Sequence, residues 1–249
     1  GTIWGINDGH GHSTTLCQDA QRNYAVISSI TPNSATALTT SMSYAQFLGR
    51  TSVSEPNGAI TSIVYDGNAR PSQTTSKHGA VTTYEYSNSP GWVKATTNGR
   101  WVKTWFDGFG RTIRVERGDA SGTKSIQDTE YGPCACSPLG KVSRVSRPYA
   151  PGQTPVWTTY QYDARGRTTR VTLPDGSATV YEYAGNTVKV TDPAGKWKRY
   201  TLDAYGNLIQ VHERDDSGAD YLTHYTYDVF DRLVRVEMPR HGYTQVRTW

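Results

Sequence analysis

The sequence predicts an all-β protein made of tandem antiparallel hairpins of about 20 residues each, joined in one continuous sheet. Three observations carry that prediction. A pattern Tyr-Asp-x-x-Gly-Arg recurs along the chain, intact at Tyr162-Asp163-Ala164-Arg165-Gly166-Arg167. Between copies, residues alternate: Val156, Thr158, Tyr160 and Tyr162 fall on one strand face, and Trp157, Thr159 and Gln161 on the other. No window sustains a helical period.

In chain order, Asn7-Asp8-Gly9-His10-Gly11-His12 keeps the Asp-x-x-Gly spacing, with His12 where arginine usually stands. Residues 1–43 read as degenerate units and 44–249 as the array proper. Tyr44-Ala45-Gln46-Phe47-Leu48-Gly49-Arg50 replaces the aspartate, and Tyr65-Asp66-Gly67-Asn68-Ala69-Arg70 the glycine. Tyr84-Glu85-Tyr86, leading to Asn98-Gly99-Arg100, is a weaker copy that parallels Tyr181-Glu182-Tyr183, leading to Ala194-Gly195-Lys196. Phe106-Asp107-Gly108-Phe109-Gly110-Arg111 is a clear copy, and residues 131–141 read as one with an enlarged turn. Leu202-Asp203-Ala204-Tyr205-Gly206-Asn207 and Tyr227-Asp228-Val229-Phe230-Asp231-Arg232 complete the series.

The signature has a turn chemistry. An aspartate at the first turn position accepts backbone N–H groups further on, and a glycine three residues later supplies positive φ. Different punctuation (Pro56-Asn57-Gly58, His78-Gly79, Pro174-Asp175-Gly176, Asp192-Pro193-Ala194-Gly195) marks the other end of each unit. Two alternating turn chemistries predict two rims of one sheet. Tyr-x-Tyr occurs at 84/86, 160/162, 181/183 and 225/227, which predicts aromatic stripes stacking across strands.

Composition bounds the rest. The 249 residues are 35% hydrophobic, with seventeen Tyr and seven Trp but only four Phe and two Met. So lean a supply of core formers fits a thin sheet better than a thick sandwich. The net charge of +4 comes from scattered Lys and Arg, too diffuse to predict nucleic-acid binding. No apolar run approaches the roughly 18 residues of a membrane span, and no signal peptide is visible. An array that begins and stops in mid-repeat is expected to be part of something longer.

Sites with chemistry are few. Cys134-Ala135-Cys136 admits a local disulfide, free thiols, or two ligands of a metal that would need two more. His10 and His12 near Asp8 read as turn residues, and His78, His212, His224 and His241 form no ligand or triad pattern. The recurring aspartates read as turn residues, and no nucleophile motif or phosphate loop is present. The expectation is a non-enzyme without metal or cofactor. Arg50, Arg70, Arg111, Arg167 and Arg232 stand just after each turn; they read as partners of turn carboxylates or of rings on the next hairpin, the alternative being an anion-binding ladder. Trp4, Trp92, Trp101, Trp105, Trp157 and Trp197 fall at strand positions, packing rings with sugar binding as the alternative.

The copies resemble the YD-repeat or RHS-repeat family of bacterial rearrangement-hotspot proteins, Tc toxin C components, wall-associated proteins and teneurins. The resemblance covers residues 44 to 239 and implies a sheet that spirals into a hollow, open or solenoid-like shell, often around a C-terminal toxin. It also implies a self-cleaving aspartate segment in toxin-bearing members. Asp192-Pro193-Ala194-Gly195 has the letters of part of it, but its place in the period makes it an ordinary turn. The resulting expectation is a structural scaffold segment of a large exported or cell-surface protein. Exposed edge strands or further repeats would join it end to end into a fibre. The alternatives are the shell of a polymorphic toxin, with its cargo, and a carbohydrate-binding adhesin with a glycan partner.

Overall fold

In the computed structural model, residues 5–7, 13–22, 25–32, 38–214, 218–240 and 242–249 are described. The chain divides into two compact units, Gly1–Ile126 and Gln127–Trp249. The first holds β1 (Gly5–Asn7), β2 (Ser13–Gln18), β3 (Ile27–Pro32), β4 (Thr40–Tyr44), β5 (Arg50–Ser54), β6 (Ile60–Tyr65), β7 (Pro71–Thr75), β8 (Val81–Asn88), β9 (Gly91–Thr97), β10 (Arg100–Phe106) and β11 (Thr112–Asp119). The strand β12 (Gly122–Cys134) runs through the division. After it come β13 (Ser137–Ser146), β14 (Trp157–Tyr162), β15 (Thr168–Thr172), β16 (Ala178–Ala184), β17 (Thr187–Thr191), β18 (Trp197–Leu202), β19 (Leu208–Arg214), β20 (Asp220–Tyr227), β21 (Leu233–Arg240) and β22 (Tyr243–Thr248). Within each unit every strand pairs antiparallel with the next, giving a meander of single-layer sheet.

The lean composition has its structural counterpart. Among the described residues, the buried apolar side chains are Leu16, Val211 and Val236. In the second unit, Val211 lies directly across from the buried Thr223, and Val236 from Tyr225. Among the described residues, the other apolar side chains are half-buried or exposed, Ile60 at 55% and Phe109 at 69% among them. Strand register therefore rests on the turns and the backbone ladders.

Turns alternate between two rims because each strand reverses direction. In the first unit one rim carries the signature turns 45–49, 66–70 and 107–111 and the other 55–59 and 76–80; in the second unit one rim carries 163–167, 203–207 and 228–232 and the other 173–177 and 192–196. The backbone of both is the same: the first residue's N–H bonds the carbonyl of the fifth, and the fourth's N–H bonds the first's carbonyl (Asp163 with Arg167 and Gly166; Leu173 with Ser177 and Gly176). Two turn chemistries thus decorate one turn geometry. What separates the rims is the ladder just inside. Signature turns are followed by a one-residue register shift, at Val64/Tyr65, Trp105/Phe106, Gln161/Tyr162, Thr201/Leu202 and Thr226/Tyr227. Strand pairs behind the other turns keep register. A bulge repeated on one rim adds local twist on that rim alone.

Residues 131–141 differ from the enlarged turn expected of them. The strands β12 and β13 continue to a two-residue tip at 135–136, with register shifts at Glu130/Tyr131 and Gly132/Cys134 absorbing the extra residues. The long connection is instead 147–156, closed by the Arg147 N–H on the Val156 carbonyl. At its root Ser146 is 2% exposed, and its hydroxyl accepts the Asp128 N–H at 2.8 Å.

Candidate functional site

Each signature turn builds its geometry from one carboxylate. In the Asp66, Asp107, Asp163, Asp203 and Asp228 turns, Oδ1 accepts the N–H groups of the residues two and four further on, at 2.9–3.0 Å. In four of them Oδ2 takes the arginine Nε and Nη2: Arg70 at 2.9 and 2.8 Å, Arg111 at 2.7 and 2.6 Å, Arg167 at 2.7 Å twice, and Arg232 at 2.8 and 2.7 Å. In the Leu202 copy, Asn207 replaces the guanidinium and donates to Asp203 at 3.2 Å. Both carboxylate oxygens are thus engaged as turn acceptors.

That environment holds all five carboxyls below the usual aspartate range. At Asp66 the Arg70 N–H contributes most, followed by its guanidinium. At Asp228 the Arg232 guanidinium leads, then its N–H. Around Asp107, Asp163 and Asp203 the largest single influence is desolvation, which pushes upward; the combined hydrogen bonds outweigh it and the net direction is down.

The fourth turn position is left-handed throughout. Gly110, Gly166 and Gly206 have φ of 76°, 78° and 92°, whereas Leu48, Ala69 and Asp231 hold 66°, 59° and 58° without glycine's freedom. In the Tyr44 copy, Leu48 takes this position, not Gly49 as the sequence pattern suggested: Leu48 N–H bonds the Ala45 carbonyl. Gly49 serves a different need, because a Cβ there would lie 2.2 Å from the Phe47 ring. An L-residue in this region costs about 1–2 kcal/mol, partly offset by glycine's larger loss of freedom on folding. Ala69→Gly should therefore raise stability by roughly 0.5–1 kcal/mol, read as a higher urea midpoint at unchanged slope.

The tyrosine and arginine of the signature tie hairpins together. The Tyr65 hydroxyl donates to the Arg50 carbonyl at 2.8 Å, Tyr86 to Pro71 at 2.7 Å, Tyr162 to Val142 at 2.8 Å, Tyr183 to Thr168 at 3.1 Å and Tyr227 to Leu208 at 3.1 Å. Four of these carbonyls lie just beyond a signature turn, and that of Val142 lies inside β13. A cation lies over three of these rings: the turn residues Arg70 on Tyr86 at 4.4 Å and Arg167 on Tyr183 at 4.1 Å, and the β13 residue Lys141 on Tyr162 at 4.8 Å. Where Leu202 replaces tyrosine, Asn186 takes over, its backbone carbonyl accepting the Leu202 N–H at 3.0 Å. Arg111 and Arg232 lie over rings of their own turns, Phe109 and Phe230.

The expected aromatic stripes are accordingly cation and aliphatic rungs. Tyr86 stands opposite Val93, Tyr160 opposite Val171, Tyr181 opposite Val190 and Tyr183 opposite Val188, so these four have a valine as cross-strand neighbour. Ring pairs occur at Phe47–Tyr65, Trp92–Trp105 and Trp197–His212. The Trp101 indole donates to the Asp119 carbonyl at 2.9 Å and covers Gly118, where a Cβ would meet the ring at 2.4 Å. Arg144, paired with Glu130, lies over Trp157 at 4.2 Å.

Cys134 and Cys136 are joined by a disulfide across the β12–β13 tip, with Cα atoms 5.1 Å apart, and Cys17 is free and exposed. His212 contacts Trp197 and lies 3.4 Å from Asp220. Trp4, Asp8, His10, His12 and His241 lie outside the described residues. Asp192 accepts the N–H groups of Ala194 and Lys196 in a turn of the second rim. The contacts that sequence reasoning missed, through Asn186, Lys141, Gly118 and Ser146, all reach across hairpins and leave no local signal.

Fold and site together define a class: a single-layer antiparallel meander whose recurring residues staple turns and rivet neighbouring hairpins. Residues 162–196 match the family model described as RHS Repeat. No curated protein matches the sequence. Among solved structures, the TcdB2-TccC3 complex aligns over 92% of this chain at 18% identity, with a TM-score of 0.68. The same complex without its hypervariable C-terminal region aligns over 92% at 15% identity, also with a TM-score of 0.68. The chain spans 15% and 18% of those two chains. Residues 162–196 thus carry an RHS repeat, and the chain has the fold of the matching segment of these toxin-complex structures.

Proposed function

We propose that this chain is a wall segment of a large YD/RHS-type shell, a structural and non-catalytic role outside the cell. One observation carries the reading: the sheet is a single layer with three buried apolar side chains among its described residues, its recurring polar residues spent on turns and rivets. Such a sheet encloses or spans; it does not build a pocketed core of its own. The resemblance in fold to a segment of the TcdB2-TccC3 chain supports the shell form, and the Cys134–Cys136 bridge supports an oxidising compartment. Cryo-electron microscopy of the natural full-length protein is the test. The expected result is this segment as part of a curved wall around a lumen; a segment folded back on a separate globular core would contradict it.

End-to-end assembly is the second reading, favoured by β22, which pairs with β21 and has every residue exposed. At high concentration it predicts strings of particles in negative stain, whereas the shell reading alone predicts none.

A further inference from the structure

The β12–β13 tip carries a feature that a purely structural wall does not require. The Cys134–Cys136 bridge has a sequence separation of 2, so it constrains the unfolded chain far less than a long-range bridge would. Its two sulfurs also have different surroundings. Cys134 lines an open pocket of about 410 Å³ with Lys141, Tyr160, Tyr162 and Asp163. Cys136 instead packs against the neighbouring signature turn at Gly166. A Cβ placed on Gly166 would lie 2.9 Å from the Cys136 sulfur and 3.4 Å from the Lys141 ammonium, so sulfur and cation converge on one spot. Lys141 is held there by the Tyr162 ring and the Gly166 carbonyl. The Cys136 N–H donates to the Cys134 sulfur at 3.2 Å.

We propose that Cys134–Cys136 is a thiol–disulfide exchange site whose co-reactant is a small thiol of the glutathione class. The external thiolate attacks the sulfur of Cys134, the cysteine that lines the pocket, forming a mixed disulfide while the Cys134–Cys136 bond breaks. The bond's electron pair leaves on Cys136 as a thiolate, stabilised by the adjacent Lys141 ammonium. A second external thiolate then attacks the external sulfur of the mixed disulfide. That step releases the oxidised small-molecule disulfide and leaves the Cys134–Cys136 dithiol, which takes up protons from solvent; two electrons pass from the two thiols to the bridge. The reverse sequence re-forms the bridge.

The test equilibrates the folded chain in buffers of graded reduced-to-oxidised glutathione, quenches with an alkylating agent, and reads Cys134 and Cys136 by peptide mass. The expected result is conversion to the dithiol within the millimolar glutathione range, with the glutathione adduct on Cys134. In Cys136→Ser the adduct on Cys134 should accumulate. Lys141→Met should slow exchange about threefold or more near neutral pH, and Lys141→Arg should restore it, with circular dichroism confirming the sheet in both. A bridge that stays intact through the glutathione series would overturn the proposal. So would an adduct found mainly on Cys136, or equal exchange rates in Lys141→Met and the parent chain.

Discussion

Gly140→Ala should be among the most damaging single substitutions in this chain, costing about 3 kcal/mol. Two effects add at this residue. Its φ is +72°, where an L-residue costs about 1–2 kcal/mol. A Cβ would also sit 2.2 Å from the Gly132 carbonyl oxygen and 3.1 Å from its carbon. The obstacle is backbone in the bulged part of the β12–β13 hairpin, so no rotamer change relieves it, and overpacking of that kind adds about 1–3 kcal/mol. Gly176→Ala is the matched control: φ is +84° and nothing lies within 4 Å of its Cβ position. Urea unfolding should show Gly140→Ala losing at least twice what Gly176→Ala loses; equal losses would remove the close approach from the account.

Acidification should weaken the whole signature rim at once. Asp66, Asp107, Asp163, Asp203 and Asp228 are all held below the ordinary aspartate value of 3.8 in the folded chain. A depressed folded value means that the unfolded chain binds protons first as pH falls. The stabilisation is therefore complete above the unfolded value, and it is lost as pH drops through the lower folded values. Protonation removes one acceptor site per carboxyl in all five turns, and the charge facing an arginine in four of them. A chain with asparagine at all five positions keeps Oδ1 for the amides but does not titrate there. Its stability should be lower at neutral pH and flatter between about pH 6 and pH 3. A parent chain as stable at about pH 2.5 as at pH 7 would count against this.

Much of the fold was legible in the sequence because its rules are local. Asp163 reaches amides two and four residues on, and Gly166 three residues on takes the left-handed conformation, so spacing alone reports the turn. The Tyr44 copy shows where that logic stops. Gly49-Arg50 looks like the end of the motif, yet Leu48, the fourth residue of the turn, adopts the positive φ, and Gly49 instead leaves room for the ring of Phe47. The stretch 131–141 misled for a related reason: Gly132, Pro133 and Gly140 read as turn residues, whereas the ladder uses its glycines to seat two bulges in a continuous hairpin. The division after Ile126 falls inside β12, with no linker composition to announce it.

The site was legible in identity and less so in contacts. Recurrence singled out tyrosine, aspartate and arginine, and the carboxylate–guanidinium pair follows from their separation of four residues. That Tyr183 would bond the Thr168 carbonyl while lying under Arg167 depends on two hairpins meeting, which no single copy records. Asn186 substituting for a missing tyrosine at Leu202 is the same kind of information.

Amide hydrogen exchange, read residue by residue in Asp163→Ala, tests the central claim that the signature is a staple for turn and hairpin. Protection should be lost at the Arg165 and Arg167 amides, weakened through β15, and unchanged in the 66–70 turn. Unaltered exchange at Arg165 and Arg167, or a uniform loss across all the turns, would contradict it.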